Sequence, residues 1–313
     1  MSFDQVPLYT YWLLAAFVFC LLYIAIHLLL KLYKDELPSD INWLDPPKNK
    51  LKISNGLDIA YRQSGTGKDL LLIHGIGGNT FCWRFVYPIL NKKYRVTCLD
   101  LPGFGYSSKS QHIDCGLDSQ SQSVKLFIDG LGLKKPILVG SSMGGTIALW
   151  LGVLYPAQFT KIIAIAPAAG VRLIPRVFRR IKSVSYYLNW GLNHKTMTLI
   201  LKHIFANNKL VSSYSVNGYL KPYLQNKTDS IHGFVSAKYL IQDNRLPNEF
   251  EKLKSKPLIL AARKDKMVKK KNIKNLLKFL SNYEFHLNDL AGHHIMEDDP
   301  DWVLDKINNY IDS

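Results

Sequence analysis

The chain has 313 residues, of which 47% are hydrophobic and 20% charged, with a formal net charge of +16. Those proportions exclude a disordered chain and a fibrous repeat, and the length suits one α/β core carrying an insertion. The positive balance alone does not separate a nucleic-acid surface, an anionic membrane surface and a solvated lysine-rich surface.

From Leu8 to Leu30 there is no Asp, Glu, Lys or Arg, and as a helix this stretch would reach roughly 34 Å, enough to cross a bilayer. Tyr9, Tyr11 and Trp12 at one end and Lys31, Tyr33 and Lys34 at the other suit the two interfaces. Residues 1–34 are therefore expected to be an N-terminal transmembrane anchor. A cleaved signal peptide would carry a basic leader, a shorter apolar run and a small-x-small site; here Asp4 stands in a leader with no basic residue. Lys31 and Lys34 follow the span, so the positive-inside rule predicts a single pass with the rest of the chain in the cytoplasm. Residues 35–50, with Pro38, Pro46 and Pro47, read as a tether, because proline opposes a regular helix or central strand.

Two short strands around Asn55-Gly56 are predicted to form a hairpin with a type I′ turn. Short apolar runs suited to strands buried on both faces then recur at Leu70–Ile73, Val96–Leu99, Ile137–Val139, Ile162–Ile165 and Leu258–Ala261. Segments of helical length and spacing, such as Asp118–Leu131 and Met143–Tyr155, separate them. The alternation predicts a mostly parallel, doubly wound sheet. Between Pro167 and Pro257 the rhythm stops and only helical patterns remain. Residues 168–250 are thus expected to be an inserted helical cap over the carboxyl ends of the strands, with the core formed by 51–167 and 251–313.

After the strand PILV comes Gly140-Ser141-Ser142-Met143-Gly144-Gly145, followed at once by a helical run. This is G-x-S-x-G in the strand-turn-helix setting it requires. Gly140 and Gly144 let neighbouring backbone approach, and the strained turn presents the Ser142 hydroxyl beside the amide of Met143. Ser141 is excluded as the exposed serine because Val139 stands where glycine would be needed. At the end of the strand LLLI, His74-Gly75-Ile76-Gly77-Gly78 can turn an amide toward the same place, and Ile76 with Met143 would form an oxyanion hole. His74 is expected to steady that loop. The glycine run lacks G-x-G-x-x-G and the P-loop lysine, which argues against a phosphate cradle.

A serine hydroxyl needs a base to accept its proton, and the base needs an acid to orient it. Asp265 follows the strand PLILAA and His293 follows the alternating run YEFHL, each just past a strand end and in the order Ser, Asp, His. His293 is favoured over His294 as the base, and His294 is expected to pack or to meet solvent. His293, His294, Glu297 and Asp298 have no metal-ligand spacing, and Cys20, Cys82, Cys98 and Cys115 have no CxxC spacing, so neither a metal site nor a disulfide framework is expected.

These motifs resemble the α/β-hydrolase superfamily from Leu51 to Ser313. The turn from Asp100 through Gly103 and Gly105 to Ser107 looks like the one after the family's central strand, where the aspartate is structural. Gly292-His293 with Pro300 seven residues on resembles the family's histidine loop. Within the superfamily, LKKPILVGSSMGG behind an N-terminal anchor looks like the membrane-bound monoacylglycerol lipases. That resemblance implies a serine hydrolase acting on a lipid ester, monoacylglycerol or lysophospholipid, without any cofactor. The same Ser-Met-Gly-Gly stretch is similar to the carbon–carbon bond hydrolases of ring-fission products, and a general carboxylesterase or a non-catalytic membrane-tethered receptor would share the fold.

The insertion holds 12 Lys and Arg against 3 Asp and Glu between Ala168 and Phe250, a net +9. Arg176, Arg179, Arg180 and Lys182 interleave with Val177, Phe178, Ile181 and Trp190, which suits a helix lying in a headgroup layer or an ordinary solvated basic face. No nucleic-acid motif accompanies the charge, so nucleic acid is not an expected partner. Oligomeric state has no signature in the sequence.

Overall fold

Short runs of Leu, Ile and Val become strands here because both faces are covered, so no polar alternation is needed. In a computed structural model, which describes residues 41–171 and 191–313, five such runs and three more polar strands form one eight-stranded sheet. They are β1 (Asn49–Lys52), β2 (Asp58–Ser64), β3 (Asp69–Ile73), β4 (Arg95–Leu99), β5 (Ile137–Ser141), β6 (Ile162–Ile165), β7 (Leu258–Ala262) and β8 (Glu284–Asn288), the apolar runs being β3 to β7. Every residue of β5, β6 and β7 is buried, whereas the terminal strand β1 is mostly exposed.

The strand order is β1-β2-β4-β3-β5-β6-β7-β8. Pairings β1–β2 and β2–β4 are antiparallel and all others are parallel. Ile73 pairs with Gly140, Gly140 with Ala164, and Ala262 with Asn288, so β3, β5, β7 and β8 all deliver their following loops to one edge. The order reverses at β3, with β4 on one side and β5 on the other, and that is where open α/β sheets leave a crevice.

The described α-helices are α1 (Tyr87–Leu90), α2 (Leu117–Gly130), α3 (Met143–Leu154), α4 (His194–Ile204), α5 (Ser213–Gln225), α6 (Lys227–Ile241), α7 (Lys270–Leu277), α8 (Ile295–Asp298) and α9 (Pro300–Asp312). Residues Met143 to Gly152 of α3 are buried all round, as its unbroken apolar sequence demands. In α9 the buried set is Val303, Leu304, Ile307, Tyr310 and Ile311, a stripe at helical spacing. That helix opens with Pro300 at its first position and Asp299 capping the amide of Trp302.

Helices α4, α5 and α6 lie between β6 and β7, and the described part of the insertion contains no strand. Capping boxes start α4 at Asn193–Thr196 and α5 at Ser212–Ser215. A Cβ at Gly218 of α5 would come within 2.4 Å of the Phe81 ring, so glycine lets this helix press directly on the core.

Two expectations change. The turn after β1 closes between Ile53 and Gly56 (2.8 Å), with Gly56 at φ +88° and Asn55 not in the left-handed region, so it is not type I′. The last part of the expected tether is docked: Trp43 is buried edge-on against Tyr87 (5.4 Å) with the Arg62 guanidinium over its ring, and β1 begins at Asn49. Among the described residues no helix is long and apolar enough to cross a membrane. The expected anchor, residues 1–34, lies outside the described residues, as does the basic, aromatic stretch 172–190.

Candidate active site

Ser142 stands between the end of β5 and the first residue of α3 at φ +54°, ψ −114°, a left-handed conformation that a side-chain-bearing residue adopts only under constraint. Its amide donates to the carbonyl of Ile165 (2.8 Å), and its own carbonyl accepts from Thr146 and Ala168 (3.1 and 3.2 Å). A Cβ at Gly140 would fall 2.1 Å from the carbonyl oxygen of Gly144, and one at Gly144 would fall 2.2 Å from that of Ile73. The glycines therefore permit a turn so tight that α3 starts against β3. Ser141 is fully buried with its hydroxyl unpartnered, turned away from the cavity that Ser142 lines.

The loop after β7 holds Asp265, whose Oδ1 accepts from the amides of Met267 (2.7 Å) and Val268 (2.8 Å). Its Oδ2 accepts from His293 Nδ1 at 2.8 Å, with both side chains nearly inaccessible. The amide of His293 donates to the carbonyl of Ile204 (2.8 Å), so the end of α4 also holds the histidine loop. With Nδ1 committed as a donor, Nε2 is the nitrogen left to accept a proton. Ser142 and His293 line the same cavity; no hydrogen bond joins the serine hydroxyl to the ring. Such bonds are commonly loose in a free site and tighten around substrate.

Neither the amide of Ile76 nor that of Met143 donates to any acceptor among the described residues. Gly75 keeps the first of them near the serine: a Cβ there would lie 3.0 Å from Ser142 Cβ. His74 is fully buried. It donates from Nδ1 to the carbonyl of Gly75 (2.7 Å) and accepts at Nε2 from the amide of Leu101 (2.9 Å), tying the loop after β3 to the one after β4. Burial lowers its pKa to about 4. Asp100 performs a matching task, accepting from the amides of Thr80 (2.6 Å) and Tyr106 (2.8 Å), and burial raises its pKa to about 6 despite those bonds.

A buried ionic cluster beside the site was not anticipated. Glu297, inaccessible to solvent, pairs with Arg84 through one oxygen and accepts from His294 Nδ1 (2.7 Å) and the Tyr219 hydroxyl through the other. Burial pushes the Glu297 carboxyl up, but Arg84, His294 and Tyr219 together hold it below the usual range. His294 thus packs, as expected, and is also tied by hydrogen bonds to α8 and to α5. Asp298 accepts from the amides of Gly292 (2.8 Å), Ala206 and Asn207 (both 3.0 Å), another link between the histidine loop and the insertion. A carboxylate four residues past His293, with a helix start between them, was the available sequence signal.

Above these groups is a cavity of about 570 Å³. Its floor is Ser142, His293 and the glycine loop, and its walls include Met197, Leu201, Ile231, Phe234, Met267 and Val268. No Asp, Glu, Lys or Arg lines it among the described residues. Such a space can hold an apolar chain with one end at the serine.

Residues 69–300 match the family model described as alpha/beta hydrolase fold. An uncharacterized hydrolase, YugF, of Bacillus subtilis (strain 168) is 24% identical over 263 residues, 82% of this chain and 95% of that protein. A 2-hydroxy-6-oxononadienedioate/2-hydroxy-6-oxononatrienedioate hydrolase of Paraburkholderia phymatum is 27% identical over 265 residues, 78% of this chain and 88% of that one. Among solved structures, a bacterial membrane phospholipase A is similar with a TM-score of 0.69 at 24% identity, covering 97% of each chain. The tight serine turn, the sheet order and the matched span together make this chain a member of the α/β-hydrolase family.

Proposed function

We propose that this protein is a serine hydrolase that cleaves carboxylic esters of lipids, with monoacylglycerol or a lysophospholipid as substrate. The observation that carries the reading is the cavity, an apolar space of about 570 Å³ ending on Ser142 and His293. In this mechanism His293 Nε2 takes the proton as Ser142 Oγ bonds to the ester carbonyl carbon, and Asp265 steadies the imidazolium. The amides of Ile76 and Met143 hold the oxyanion. The bond to the alcohol breaks as His293 returns the proton to it, and water repeats the sequence to free the fatty acid. The apolar run Leu8–Leu30 would anchor the domain to a bilayer, from its cytoplasmic side, where such substrates reside.

A second reading, carbon–carbon bond hydrolysis of ring-fission products, is favoured by the likeness to the Paraburkholderia hydrolase. Against it, the substrate named for that relative is a dianion, and no cation lines the cavity among the described residues. The test is a hydrolysis panel on the detergent-solubilised protein beside Ser142→Ala: long-chain monoacylglycerol, a lysophospholipid, a short aryl ester and a dienone ring-fission product. Hydrolysis of the lipid esters, lost in Ser142→Ala, is the expected result. Preference for the dienone would replace this reading with the second, and failure of folded wild type to react with a fluorophosphonate would favour a non-catalytic receptor.

A further inference from the structure

The cavity is apolar, yet its polar side chains are not all satisfied. Thr196 donates to the carbonyl of Gly191 (2.7 Å), Tyr219 is bonded to Glu297, His293 is held by Asp265, and His203 is exposed. Apart from Ser142 Oγ and His293 Nε2, which the reaction itself would use, two side-chain hydrogen-bonding atoms are left over among the described lining residues. The Tyr223 hydroxyl has no partner among the described residues although the residue is 94% buried, and its oxygen keeps some accessible surface. That oxygen lies 3.3 Å from where a Gly77 Cβ would be, against the loop that carries the Ile76 amide. Burial raises the phenol's pKa, so it stays protonated and able to donate. The second atom is His294 Nε2. Because Nδ1 donates to the Glu297 carboxylate, Nε2 is the ring nitrogen left to accept.

Tyr219 and Tyr223 are one turn apart on α5, on one face, with Cβ atoms about 5–6 Å apart. The Tyr219 hydroxyl touches His294 Nδ1 (3.1 Å), so α5 lies against His294, and Tyr223 and His294 both line the cavity. A free donor and a free acceptor lining an otherwise apolar cavity are positions that the hydroxyl groups of a ligand can complete. A single apolar chain completes neither, and an anionic headgroup would find no cation among the described lining residues.

We propose that Tyr223 Oη and His294 Nε2 form a subsite for the hydroxyl groups of the leaving alcohol, selecting neutral polyol esters over esters of simple alcohols and over charged headgroups. One substrate hydroxyl accepts from Tyr223 and another donates to His294, the complement that a glyceryl group supplies. The inference rests on the ester-hydrolase reading and names the alcohol that it favours.

The test compares kcat/KM for a monoacylglycerol, the methyl ester and the lysophosphatidylcholine of one fatty acid, in wild type and Tyr223→Phe. Wild type is expected to prefer the monoacylglycerol. Tyr223→Phe should lower the ratio of monoacylglycerol to methyl ester about 5- to 10-fold, the size of one hydrogen bond. Its Tm should equal or exceed that of wild type, since the lost hydroxyl has no partner among the described residues; a structural role would lower it. His294→Gln, which can still reach Glu297, should shift the ratio in the same direction. A ratio within twofold of wild type, or an equal fall on both esters, overturns the subsite. Wild type that labels with fluorophosphonate yet hydrolyses none of the three esters overturns the ester-hydrolase reading itself, which is a separate and recognisable failure.

Discussion

Replacing Glu297 by Gln keeps the shape of the side chain and removes its charge, and the surroundings make that change expensive. Glu297 has 0% side-chain exposure and Arg84 has 4%, so water cannot substitute for the lost partner. One carboxylate oxygen faces the Arg84 guanidinium and the other faces two donors, His294 Nδ1 and the Tyr219 hydroxyl. A carboxamide has only one acceptor oxygen, so in either orientation its NH2 group points at donors. Leaving a buried cation without its counter-charge typically costs about 3–5 kcal/mol, and for a domain of this size that lowers Tm by roughly 10 °C. Urea unfolding with the slope measured for each variant gives the number directly. The double variant Arg84→Met, Glu297→Leu removes both charges and leaves Tyr219 and His294 able to bond each other; it should be more stable than Glu297→Gln. A cost for Glu297→Gln below about 1 kcal/mol, or a double variant as unstable as the sum of its single changes, would show that the pair is not the buried anchor described here.

Asp265→Asn should leave Tm within a few degrees while lowering kcat by roughly 10⁴-fold, because the amide can fix the wrong imidazole tautomer; a loss under tenfold would remove Asp265 from the mechanism. Gly75→Ala puts a methyl group 3.0 Å from Ser142 Cβ, and the resulting displacement of the serine should slow fluorophosphonate labelling by about 10- to 100-fold with the fold retained. For His74 the folded-state pKa, about 4, lies below the ordinary 6.5, so its contribution to stability is full above pH 6.5 and is lost as pH falls through 4. The gap amounts to about 3 kcal/mol. Asp100 acts in the opposite sense: its pKa of about 6 lies above the ordinary 3.8, so its contribution is full below pH 3.8 and is lost as pH rises through 6. The His74 share is therefore read as a difference, with wild type losing about 3 kcal/mol relative to His74→Gln between pH 6.5 and 4; parallel pH profiles would refute it.

How much of this was legible follows from which forces act locally. The buried strands could be read because a segment covered on both faces has no polar choice to make, and β3 through β7 show it. The tight turn at Ser142 could be read because its backbone strain requires glycines at fixed offsets, and the meeting of Asp265 with His293 because strand ends converge on one edge of a parallel sheet. The turn at Ile53–Gly56 was misread because Asn-Gly permits a type I′ turn without requiring one; loop length decides. Trp43, alone in a proline-rich stretch, gave no periodic signal, and its burial depends on Tyr87 and Arg62 arriving from elsewhere. The Arg84–Glu297 pair joins residues 213 positions apart, a distance over which no spacing rule operates. Tyr219 and Tyr223 make the physical limit plainest. Helical period puts both on one inward face, and the two side chains are chemically identical. One finds a buried carboxylate and serves stability; the other, a turn later, finds none among the described residues and is left for a ligand. Periodicity determines which side chains turn inward, but only the packing of distant elements determines which of them arrive without a partner, and those are the ones that confer specificity.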